Sequence, residues 1–164
     1  MNQTEQRTDE QYLREAIQLA RAGMNSGQGG PFGAVIVKDG VVVGRGCNRV
    51  TSTHDPTAHA EIVAIRNACQ TLDSFQLTGC VLYASCEPCP MCLGAIYWAR
   101  PDRVVFGAIH TDAAGAGFDD TFIYEEISKD RADRRIPMIH LPDLRAEADA
   151  VFAEWVAKGD RTLY

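Results

Sequence analysis

Two short stretches constrain this chain more than anything else in it: Thr57-Ala-His-Ala-Glu61 and Ser85-Cys-Glu-Pro-Cys-Pro-Met-Cys92. Each sits where the surrounding pattern says a helix begins. After the first, Ile62, Ile65, Cys69 and Leu72 recur at helical spacing. The second follows an apolar run at Cys80–Ala84. It carries prolines at 88 and 90, which a helix start tolerates because the missing N–H would have no intrahelical partner there. If His59, Cys89 and Cys92 serve one ion, the fold must aim the N-termini of two helices at a single point.

The rest of the pattern says how that is done. A first helix starts at Thr8 or Asp9, with an apolar stripe at Leu13, Ile17, Ala20 and Met24. Ser26–Gly30 is a glycine-rich break. Gly33–Lys38 and the run from Val41 read as a hairpin turning at Asp39-Gly40. Further strands are expected at Cys80–Ala84, Arg103–Ala108 and Ile136–Leu141, with helices between them and a last helix striped by Leu144, Ala148, Val151, Phe152 and Trp155. Strands alternating with helices after a hairpin predict an α/β fold: a three-layer α/β/α sandwich on a mixed five-stranded sheet. The 164 residues, with 46% hydrophobic and 23% charged, suit one domain over 1–164.

Composition also narrows the partners. No apolar run approaches the roughly 20 residues that span a bilayer, and Met1–Gln11 lacks the apolar core of a signal peptide, so no membrane and a cytoplasmic location are expected. The net charge of −6 speaks against a large folded nucleic acid, whose affinity comes largely from phosphate neutralisation. A small neutral base suits this balance better. Six cysteines in a chain without a secretory signature point to metal or redox chemistry rather than disulfides.

Cys89 and Cys92, spaced i, i+3, present both sulfurs on one face of a helical start, where unpaired N–H groups and the helix dipole favour thiolates. With His59 they form a His-Cys-Cys set, which suits one Zn²⁺ per subunit with water or hydroxide in the fourth tetrahedral position. Glu61, two residues from His59, is too close in sequence to share a mid-helix face. It converges with His59 only if the ion lies off the helix end. Glu61 is then no ligand but the group that takes a proton from water and gives it to a leaving amine. Cys86 reads as a buried neighbour; Cys47, Cys69 and Cys80 read as small core residues, and His54 and His110 are assigned no metal role.

H-x-E followed by P-C-x-x-C is the signature of zinc nucleobase deaminases, and the chain resembles the cytidine deaminase superfamily over nearly its whole length. The bacterial guanine deaminase branch is the nearest in pattern. Asp55-Pro-Thr-Ala-His-Ala-Glu61 is shared with tRNA adenosine deaminases. Ile96-Tyr-Trp98, Gly117-Phe-Asp-Asp120 and the terminal Tyr164 are more specific. The resemblance implies zinc on His59, Cys89 and Cys92, and proton transfer by Glu61. It implies purine contacts from Asn48 and Asp120, walls from Phe32 and Trp98, and closure by Tyr164. It also implies a homodimer that exchanges its C-terminal segment, so that Tyr164 completes the partner's site.

The implied reaction is deamination of guanine. Guanosine, cytosine and ammeline remain alternatives within the same chemistry, and adenosine in tRNA is a weaker one. A structural zinc module would need a fourth protein ligand such as Cys86 or His54, and a C-x-x-C thiol oxidoreductase leaves His59 and Glu61 without a purpose.

Overall fold

The computed structural model describes residues 7–164; residues 1–6, the start of the polar N-terminal stretch, lie outside them. The chain divides into a unit ending at Asp120 and a second unit, Thr121–Tyr164.

In the first unit, α1 (Asp9–Asn25) begins at Thr8, whose N–H donates to the Gln11 side chain at 2.8 Å. The hairpin β1 (Gly33–Lys38) and β2 (Val41–Cys47) follows, turning through Asp39 and Gly40, both at positive φ. A single-turn helix, α2 (Val50–Thr53), interrupts the loop expected there. Then come α3 (Ala60–Leu72), β3 (Cys80–Cys86), α4 (Pro90–Ala99), β4 (Arg103–Ala108) and α5 (His110–Gly115).

The sheet runs β2-β1-β3-β4, antiparallel except for the β3–β4 pair, so it is mixed as expected. Its alternation sorts the core onto two faces. Ala34, Ile36, Leu82 and Ala84 point to the side covered by α3 and α4, while Val35, Val37 and Tyr83 point to the side covered by α1. Helices on both faces make three layers, and β1, covered on both sides, is buried and apolar from Gly33 to Val37.

Close backbone approach fixes both coverings. On β2, a Cβ at Gly44 would lie 2.5 Å from the Ala64 carbonyl oxygen, and one at Gly46 would lie 2.7 Å from the Ala64 nitrogen. The Ala60, Ala64, Ala68 stripe of α3 therefore rests directly on the β2 main chain. On the opposite face, Gly33 meets the backbone at Ala16 and Ala20 in the same way. This rotates α1 from its expected orientation. Tyr12, Ala16, Ala20 and Gly23 are buried, whereas Ile17 and Met24 are exposed, because small residues must face the glycine.

The second unit contains α6 (Thr121–Ser128) and α7 (Arg145–Ala157) with two 3₁₀ turns. The expected fifth strand at Ile136–Leu141 is absent, and the sheet has four strands. That segment is non-repetitive backbone, Pro137 removes one ladder donor, and Ile136 and Ile139 are exposed. No residue in 121–164 is buried. Among the described residues no helix is long and apolar enough to cross a membrane.

Candidate metal and deaminase site

The register gathers the candidate residues at one end of the sheet. Gly33 pairs with Cys47, Ala34 with Ala84, and Cys86 with Ala108. Phe32, Asn48, Glu87 and Ile109 therefore leave the sheet side by side. The start of α3, resting on Gly46, comes to the same end. This is the carboxyl end of the parallel strand pair, where open α/β sheets place their ligands.

Both ligand-bearing helices begin there. His59 is the N-cap of α3, and Cys89 is the N-cap of α4 with Pro90 at the first helical position. Cys89 thus stands one step before the first turn rather than within it. Cys92 is buried three residues further on. Nδ1 of His59 lies 3.5 Å from Sγ of Cys89 and 3.5 Å from Sγ of Cys92, and the three ligand atoms lie within 4.8 Å of one another. Zn–S bonds of about 2.3 Å and a Zn–N bond of about 2.0–2.1 Å at tetrahedral angles put N and S roughly 3.5 Å apart. The donor set fits zinc in spacing and in type, and His59, Cys89 and Cys92 are the residues that would hold it.

Electrostatics point the same way. The Cys89 thiol is brought down to about 4, first by its hydrogen bond with Cys92 and next, against burial, by that with His59. Cys92 is pushed up by the Cys89 sulfur and by burial. His59 is raised chiefly by its bond to Cys89. The thiolate form of Cys89 is favoured between His59 and Cys92, and a divalent cation held by the three would displace the protons on them.

Glu61 and Asn48 are the two buried polar residues among those described. Glu61 occupies the second position of α3, and burial pushes its carboxyl up, further raised by the Cys89 sulfur. A carboxyl raised by desolvation beside a metal set suits proton transfer near neutrality. Asn48 accepts through Oδ1 from the N–H of Gly30 at 3.1 Å and of Val50 at 3.2 Å. The Arg49 N–H donates to the Ala58 carbonyl at 2.9 Å, tying this loop to the residue before His59.

The remaining expected residues divide. Burial pushes Asp120 up and the Cys89 sulfur adds to it, so this carboxyl lies within electrostatic reach of the ligands. Phe32 packs on the α3–α4 core and meets Phe118 edge-on at 4.9 Å between ring centroids, an aromatic partner the sequence reading left without a role. Trp98 is at the far end of α4, about 13 Å along the axis from Cys89 at 1.5 Å per residue, and is 64% exposed. Tyr164 lies in the second unit and is exposed.

A second missed pair braces the site. Glu87 accepts from the His110 N–H at 3.0 Å, sits 3.0 Å from its Nδ1, and donates its own N–H to Ala108. Only the nearness of the β3 and β4 ends could have revealed it. Cys86 is buried as expected, as are Cys47 and Cys80, while Cys69 is half-buried. A cleft of about 400 Å³ bordered by Ile17, Phe32, Cys86, Asp112 and Phe118 has none of the three ligands in its lining.

Residues 6–108 match the family described as the cytidine and deoxycytidylate deaminase zinc-binding region. Guanine deaminase of Bacillus subtilis is 62% identical over 128 residues, 78% of this chain and 82% of that protein. A tRNA-specific adenosine deaminase of Aquifex aeolicus is 40% identical over 106 residues, 65% of this chain and 70% of that one. The crystal structure of guanine deaminase from Bacillus subtilis superposes with a TM-score of 0.92 at 52% identity, covering 100% of this chain and 99% of that chain. With this ligand set and these likenesses, the chain belongs to the cytidine and deoxycytidylate deaminase family, as a zinc-binding hydrolytic deaminase.

Proposed function

We propose that the protein converts guanine and water to xanthine and ammonia. One observation carries the substrate: the likeness to a guanine deaminase is 62% identity over 78% of the chain, whereas that to the tRNA deaminase is 40% over 65%. The net charge of −6 agrees with a small base rather than a folded RNA.

Zinc, when bound, acidifies water towards a pKa of about 7 and so supplies the nucleophile at neutral pH. The chain's own residues do the rest. Glu61 takes a proton from the attacking water and passes it to the exocyclic nitrogen, which leaves as ammonia when its bond to the ring carbon breaks. Asp120, as a carboxylate, accepts from the N–H groups on the base edge. Asn48 bonds the base from the other side, and Phe32 supports its flat face.

The second unit enters the proposal through assembly. It carries many apolar side chains and buries none, which suits a segment packed against a second copy. The functional form in this reading is a cytoplasmic homodimer with exchanged C-terminal segments. Tyr164 and Trp98 complete the wall of the site in that assembly.

The test is ammonia release by the zinc-loaded protein from guanine, guanosine, cytosine and ammeline, with Glu61→Ala as control. Turnover of guanine that disappears in the mutant supports the reading. Turnover of guanosine alone keeps the chemistry and replaces the substrate.

A further inference from the structure

The glycine-rich break at 26–30 has no part in the chemistry above, yet it is laced to the Asn48 loop. The Gln28 carbonyl accepts from the Ser52 N–H at 3.2 Å, the Asn48 N–H donates to the Phe32 carbonyl at 3.0 Å, and the Gly30 N–H donates to Asn48 Oδ1. A Cβ on Gly29 would stand 2.6 Å from the Asn48 carbonyl oxygen and closer still to Oδ1. No side chain fits there. On Gly30 a Cβ would meet the rings of Phe32 and Phe118 at 3.2 Å. Two adjacent glycines thus let the amide on one side and two aromatic rings on the other close onto a single stretch of backbone.

The consequence is polarity. An amide carries an acceptor oxygen and a donor NH₂, and turning it over exchanges the two. Here the oxygen receives two backbone N–H groups, so a turned amide would oppose donors to donors inside a buried site. Among the described residues no group accepts from Nδ2.

We propose that the Gly29–Gly30 turn is a positioning element for the substrate: it clamps the Asn48 amide with its NH₂ group outward, so that the site selects bases presenting a hydrogen-bond acceptor at that point. This rests on reading the site as one for a nucleobase. A base with a donor there leaves two donors facing each other without water, which is how polar sites reject near-matches.

The test compares Asn48→Asp and Gly29→Ala with the wild type, each zinc-loaded, reading zinc content, Tm, kcat and KM for guanine. Asn48→Asp keeps the shape and the Oδ1 acceptor but replaces the donor by an acceptor. Its kcat/KM is expected to fall about 100-fold or more, with zinc content and Tm close to wild type. Gly29→Ala is expected to raise KM about tenfold while zinc content and kcat change little. If Gly29→Ala does not fold, Asn48→Asp decides alone. An Asn48→Asp enzyme that handles guanine within about threefold of wild type overturns the inference, as does a folded Gly29→Ala enzyme with lowered Tm and unchanged KM. Wild-type protein inactive on guanine overturns the substrate reading instead. The same comparison on the base it does accept then judges the clamp.

Discussion

Residues 7–120 and 121–164 are built from similar proportions of apolar and polar side chains, yet they use them in opposite ways. The first unit holds every buried residue described, with two apolar clusters packed against the faces of one sheet. The second leaves Ile136, Ile139, Phe152 and Leu163 exposed. Apolar side chains left unburied in this number agree with the proposal that a second copy of the chain covers them. The chemistry follows the same division: His59, Glu61, Cys89 and Cys92 belong to the unit that has its own core.

The sharpest way to test that division is Glu61→Ala, which is expected to lower kcat by about 10²–10⁴-fold while the zinc content measured by metal analysis stays at one per chain. Full turnover in a zinc-replete mutant would remove Glu61 from the chemistry. Next, Ile36→Ala in the fully buried centre of the sheet is expected to cost about 2–5 kcal/mol by denaturant unfolding. Ile139→Ala separates the two accounts of the second unit. If that surface faces only water, the change stays within about 0.5 kcal/mol. If a second copy covers it, the loss of stability grows as the protein is diluted. The smallest effect is expected far from the site, at Asp9. Hydrogen bonds from Arg103, then from Tyr83, hold its carboxyl down to about 2 from an ordinary 3.8. A depressed carboxyl contributes stability above 3.8 that is lost as pH falls through about 2. Asp9→Asn is therefore expected to lower Tm at neutral pH and to match wild type near pH 2; a constant gap across that range would remove the ionic explanation.

What could be read from the sequence was whatever depends on local spacing. The helix starts at His59 and Cys89, the hairpin at Asp39-Gly40 and the strand at Arg103–Ala108 are set by residues a few positions apart. What could not be read depends on who the neighbour is. The buried side of α1 is chosen by Gly33, which sits on another element. Ile136–Leu141 is rich in apolar residues as a buried strand is, but among the described residues no strand pairs with it. The Asn48 amide is oriented by a backbone N–H eighteen positions earlier.

The seating of α3 on Gly44 and Gly46 has a consequence for how the metal comes and goes. Because main chain lies against main chain there, the helix has no side-chain cushion through which to slide, and its first residue is expected to hold its place with or without an ion. In many small zinc modules the metal assembles the fold and chelation unravels it. Here the packing of α3 on the sheet is expected to shape the His59 side of the socket without the ion. Stripping zinc with a chelator should then silence the enzyme while its circular dichroism spectrum barely changes, and returning the metal should restore activity without a refolding lag. Zinc supply would act on such a protein as a switch rather than as a condition of its survival.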